Sequence, residues 1–191
     1  FFGLYDEIWH RTFGFDVTVV SPPHQGLLFG VMIGMIGCLS VFAGTKHQAG
    51  EWRLGGRNFG ISVATAIMIS FMPVFIPLLP VVIPFPNILE LGLAGAFTIG
   101  LLLVSSATRQ PGAATLMALI VLALRTGAWF MAPWATRVYA DSLGLFIRDG
   151  STGFPEFASQ LPTYFIVVAV LVDAFLWFGK RRNLPVRAGV M

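Results

Sequence analysis

The chain has 191 residues, of which 56% are hydrophobic and 11% charged, with a mean hydropathy of +0.80. That balance lies outside the range of soluble domains and within that of multi-spanning membrane proteins. The net charge of +3 and pI near 9.5 do not point to nucleic acid, because the basic residues sit in short loops and at the C-terminus, as membrane topology requires. The single cysteine, Cys38, lies in an apolar run and excludes an internal disulfide.

The first residues, Phe1 to Tyr5, read as the end of an apolar helix entering an aromatic interface belt, which leaves room for a sixth span upstream. The next stretch holds two of the three histidines: Asp6, His10, Asp16 and then Ser21-Pro22-Pro23-His24. If residues 5–10 are helical, Asp6 and His10 are four apart, on one face and one turn from each other, as a helix offers two donors to one ion. Ser21 followed by Pro22 reads as a helix N-cap with proline at the first position. His24 then falls in the opening turn of the next helix, where it can point back at the preceding one. A carboxylate and two imidazoles make a metal site for copper, iron or zinc, and donor type alone does not choose among them. The competing reading is a hydrated membrane edge where the rings hydrogen-bond to backbone or lipid headgroups.

Five stretches reach the roughly 20 apolar residues that a bilayer crossing needs: 25–44, 60–79, 88–107, 113–132 and 161–179. The expected fold is an all-α transmembrane bundle forming a single membrane domain over 1–191, without internal repeat or linker. Gly26, Gly30, Gly34 and Cys38 in the first span, and Gly92, Ala96 and Gly100 in the third, form small-residue stripes suited to close helix contact. The second span carries Pro73 and Pro77 and runs into Pro80, Pro84 and Pro86, so it should kink and leave the membrane as an extended connection. Between the last two spans, Val138 to Ile147 is expected to form a short interfacial helix beside Trp129, Trp134 and Tyr139.

Three groups of basic residues fall on one side of this topology: Lys46, Arg53 and Arg57; Arg109; and Lys180, Arg181, Arg182 and Arg187. The positive-inside rule makes that side cytoplasmic and puts Asp6, His10 and His24 at the outer edge. Within spans, Glu90 and Arg125 are expected to pair with each other, and Asp173 to make an interhelical hydrogen bond in preference to relaying protons. His47 beside Lys46 reads as a solvated loop histidine, and the motifs of soluble hydrolases, phosphate loops and zinc proteases are absent from the sequence.

Over the first 25 residues the chain resembles the C subunit of the copper-containing membrane monooxygenases, the particulate methane and ammonia monooxygenase family. The likeness rests on Asp6 and His10 in an Asp-x-x-x-His pair near a helix end, and on His24 after a proline-containing turn. The resemblance implies copper as the metal, Asp6, His10 and His24 as its ligands, and partner subunits in a membrane complex. It also implies oxidation of a small apolar molecule and a bacterial inner-membrane location. No second Asn-or-Asp-x-x-x-His set follows, so one metal centre is expected; no residue is assigned a catalytic role. A structural or accessory subunit is the alternative, with the glycine stripes as docking faces, and a transporter is the third.

Overall fold

The structure, a computed structural model, describes residues 2–14, 21–45, 55–72, 88–147 and 164–181, with the backbone alone at 88–90 and 132. The described residues form six helices: α1 (Phe2–Phe13), α2 (Pro22–Gly44), α3 (Gly56–Phe71), α4 (Ile88–Thr108), α5 (Ala113–Leu143) and α6 (Phe165–Arg181). Among the described residues, three segments are long and apolar enough to cross a membrane, fewer than the five expected: Pro22–Gly44, Leu91–Thr108 and Ala113–Met131.

Of the five expected spans, those at 60–79 and 161–179 correspond to α3 and α6, which have 16 and 17 described helical residues. The prolines expected to break the second span, Pro73 and Pro77, lie outside the described residues, as do Asp16, His47 and the side chain of Glu90. The expected separate helix at Val138 to Ile147 does not form. Instead α5 runs unbroken for 31 residues through Pro133. Proline removes one backbone donor and crowds the preceding turn, yet a long apolar helix tolerates it where neighbouring groups re-satisfy the freed carbonyl. At 1.5 Å per residue α5 is about 46 Å long, more than the roughly 30 Å of a hydrocarbon core.

The helix α3 is the hub. Ten of its residues are buried, and it packs against α2, α4 and α5, while α6 closes on α4 and α5. The shared core joins Ile61 and Ile69 of α3, Phe97 and Val104 of α4, Met117 and Val121 of α5, and Phe165 of α6. Phe97 stacks on Phe165 with ring centroids 4.1 Å apart. Gly100 lets α3 approach α4 closely, since a Cβ there would collide with Ile69. The other stripe divides: Gly26 lies against Phe2 of α1, whereas nothing stands within 4 Å of a Cβ at Gly30 or Gly34. In α2 only Pro23 is buried, and Phe29, Ile33, Ile36 and Val41 are exposed, as on a surface solvated by lipid or covered by another protein.

Several hydroxyls within this apolar body bond to their own helix, whereas those of Thr65 and Ser105 are buried without a hydrogen-bond partner. The hydroxyls of Ser40, Ser70, Thr98, Thr108 and Thr126 each donate to the carbonyl four residues earlier. Asp173, 7% exposed, meets the expectation of an interhelical bond: its Oδ2 accepts the Thr115 N–H at 2.7 Å and the Thr115 hydroxyl at 2.6 Å. Thr115 lies in the first turn of α5, whose backbone N–H groups have no partner within the helix, so a carboxylate from α6 serves as the cap that Gly112 cannot supply.

Of the basic groups expected on one side, Lys46, Arg53, Arg182 and Arg187 lie outside the described residues, while Arg57 and Lys180 lie at one end of the bundle. Arg57 donates to the Ala107 carbonyl in the last turn of α4 at 3.0 Å, and Lys180 donates to Gln110 at 3.1 Å. Because α2 runs from His24 toward this end, Asp6, His10 and His24 occupy the opposite one.

Candidate metal centre

Residues 2–13 form an amphipathic helix of about three turns, which packs on α2. The two carboxylates of this stretch separate by face. Glu7 is engaged by Arg11, whose Nε donates to it at 2.6 Å, which leaves Asp6 beside His10. Ser21 starts α2 in an extended conformation with prolines at the first helical positions. Those prolines lack the N–H groups that an N-terminus must otherwise satisfy, and they fix the backbone so that His24 enters the first turn facing α1.

The three expected ligands are brought together. Asp6 Oδ1 lies 3.4 Å from His10 Nε2 and 3.1 Å from His24 Nε2, and the two imidazole nitrogens are 3.3 Å apart. His10 is buried at 4% exposure, and Asp6 and His24 are partly buried. The atoms form a nearly equilateral triangle. A tetrahedral ion with bonds of about 2.0–2.1 Å separates its ligands by about 3.3–3.4 Å, and an octahedral one by about 2.9 Å. The observed edges fit the tetrahedral face better.

Protonation geometry also favours a cation. His10 Nδ1 lies 3.3 Å from the Gly14 carbonyl oxygen; a carbonyl only accepts, so Nδ1 donates to it and Nε2 is the ring nitrogen turned to the triangle, where it can serve as a metal donor. Asp6 Oδ1 is buried there and receives no hydrogen bond. A metal ion would offset the carboxylate's charge and bond to all three donor atoms at once. The set of one carboxylate and two imidazoles suits copper, iron or zinc.

Two further residues flank the ligand set in sequence. Gly14 closes α1 in a left-handed conformation with φ of 84°, and its N–H donates to the His10 carbonyl at 3.0 Å. A glycine directly after a helical pattern is a readable stop signal, but its contact with the His10 ring is not readable from spacing. Ser21 is buried, and its hydroxyl neither caps α2 nor has another partner. No protein-family model, curated protein or solved structure matches this chain.

Proposed function

We propose that the chain is an integral membrane, copper-binding subunit of a monooxygenase-like complex, with Asp6, His10 and His24 as ligands at the outer membrane edge. The observation that carries this reading is the triangle of Asp6 Oδ1, His10 Nε2 and His24 Nε2, with edges of 3.1, 3.3 and 3.4 Å. The resemblance of residues 5–24 to the C subunits of the particulate methane and ammonia monooxygenases supports copper over iron or zinc.

Copper held by three protein ligands would supply a redox centre with a position left for dioxygen beside an apolar surface, suited to oxidising a small apolar molecule. The chain's own residues do simpler work. Asp6 contributes the negative charge that offsets the ion's, and His24 is placed by the Pro22-Pro23 start of α2. His10 is held by Gly14, and the burial of its ring keeps water from competing for the nitrogens.

The proposed topology has five spans, α2 to α6. The site faces the periplasm of a bacterial inner membrane and the basic end, with Arg57 and Lys180, faces the cytoplasm. The complex surrounds the chain with lipid and with other membrane subunits or further copies of itself. The direct test is the electron paramagnetic resonance spectrum of the copper-reconstituted chain. Coupling to two imidazole nitrogens is expected, with the copper signal of the site lost in His24→Ala; an unaltered spectrum in that variant would refute the ligand assignment.

A second reading, a non-catalytic structural or accessory subunit, draws on the bare flank of α2. Gly30 and Gly34 have no neighbour there, and small residues allow another helix to approach. Purification with defined partner subunits and no metal would favour that reading over the first.

A further inference from the structure

The end of α5 approaches the candidate metal centre through a residue that neither the ligand set nor the membrane reading uses. The helix stops at Gly144, left-handed with φ of 63°. The Gly144 N–H donates to the Asp141 carbonyl at 3.2 Å and the Leu145 N–H to the Ala140 carbonyl at 3.0 Å. This pair of bonds turns the chain off the helix axis. The turn lays the Phe146 ring against Gly14, so closely that a Cβ on Gly14 would collide with it.

Gly14 in turn holds His10 at two points. Its N–H caps the His10 carbonyl at 3.0 Å, and its carbonyl oxygen lies 3.3 Å from His10 Nδ1. We infer that Phe146 and Gly14 are positioning residues for His10. By pressing on the left-handed glycine, Phe146 fixes the carbonyl that keeps the His10 ring proton on Nδ1 and its Nε2 lone pair toward Asp6 and His24. This rests on the proposed metal site for its purpose, but the ring orientation is a property of the metal-free chain.

The mechanism follows from what Gly14 lacks. Without a Cβ it leaves a surface flat enough for an aromatic ring, and it adopts positive φ at little steric cost. That same freedom would let the carbonyl swing if nothing lay against it. A ligand's outer hydrogen bond sets both its tautomer and its direction, and loss of such partners typically lowers metal affinity about 10- to 100-fold. Phe146 is 65% exposed, so its truncation removes the contact without opening the core.

The test uses the full chain in detergent micelles with 15N-labelled histidine. His10 ring shifts are recorded without metal for the unaltered chain, Phe146→Ala, Phe146→Leu and Gly14→Ala, followed by copper titration. Circular dichroism checks that each variant folds. His10 protonated at Nδ1 in the unaltered chain is expected, with mixed tautomers in Phe146→Ala, copper affinity lower by about 10- to 100-fold, and most of both restored in Phe146→Leu. If Phe146→Ala keeps the Nδ1 proton and binds copper within about twofold of the unaltered chain, the inference is overturned. Should the unaltered chain bind no copper while Phe146→Ala still scrambles the tautomer, the positioning role stands and the metal reading falls. Gly14→Ala, which meets the ring from the other side, should reproduce the tautomer change.

Discussion

At the scale of single residues, two carboxylates have different roles. Asp173 spends one oxygen on the backbone N–H and hydroxyl of Thr115, which makes it a cap shared between two helices. Asp173→Ala would leave both donors buried without an acceptor and should cost about 1–3 kcal/mol, read as a lower thermal midpoint in detergent. Asp173→Asn, whose carbonyl oxygen can still accept both bonds, should lose less than half of that. Equal losses in the two variants would mean that the charge, not the hydrogen-bond geometry, holds α5 to α6. Asp6 instead has its inner oxygen aimed at two imidazole nitrogens. Removing its charge should reduce copper affinity by at least about 10- to 100-fold, with little change in the thermal midpoint of the metal-free chain.

Much of this was readable before the fold. Asp6 and His10 declare themselves through four-residue spacing, and His24 through the two prolines that start its helix, because both signals are local. Asp173 was recognisable as a group needing a partner, since an acid at that depth cannot remain unpaired, but nothing in the sequence names Thr115. Gly14 and Phe146 meet only after α1 and α5 have both ended in left-handed turns, and periodicity does not record where two separate chain exits cross.

At the scale of elements, the small-residue stripes show how one pattern serves two ends. Gly100 and Gly34 look equivalent in sequence, each part of a four-residue repeat in an apolar helix. Gly100 faces Ile69 of the central helix, and Gly34 faces open space. Gly100→Val should therefore overpack the contact between α3 and α4 and destabilise by about 1–3 kcal/mol, whereas Gly34→Val should stay within about 0.5 kcal/mol. Thermal unfolding of the two variants decides it, and the reverse order would mean that α2, not α4, forms the tighter contact. The expectation that Val138 to Ile147 forms its own helix failed for a related reason. The apolar stretch ends at 132, where a span was expected to stop, but Trp134 to Leu143 continue the same helix through Pro133, and it ends at Gly144.

At the scale of the whole molecule, the two ends of the bundle are chemically distinct. One gathers Arg57 and Lys180 around the C-terminal turn of α4 and the start of α5, and the other holds the carboxylate and imidazoles. In the proposed orientation, which follows the positive-inside rule, the basic end faces the cytoplasm. A fluorescent protein fused after Met191 should therefore fluoresce in bacterial cells and an exported phosphatase fused at the same point should stay inactive. The opposite pair of results would turn the molecule over and place the site in the cytoplasm.

The central claim concerns that site, and metal content per chain is its most direct measure. Mass spectrometry on detergent-purified protein after mild reconstitution with copper, iron or zinc should give close to one copper per unaltered chain. His10→Ala and His24→Ala should each bind almost none, while Asp173→Asn retains the full amount. Absence of bound metal in the unaltered chain under all three reconstitutions, or full copper in both histidine variants, would contradict it.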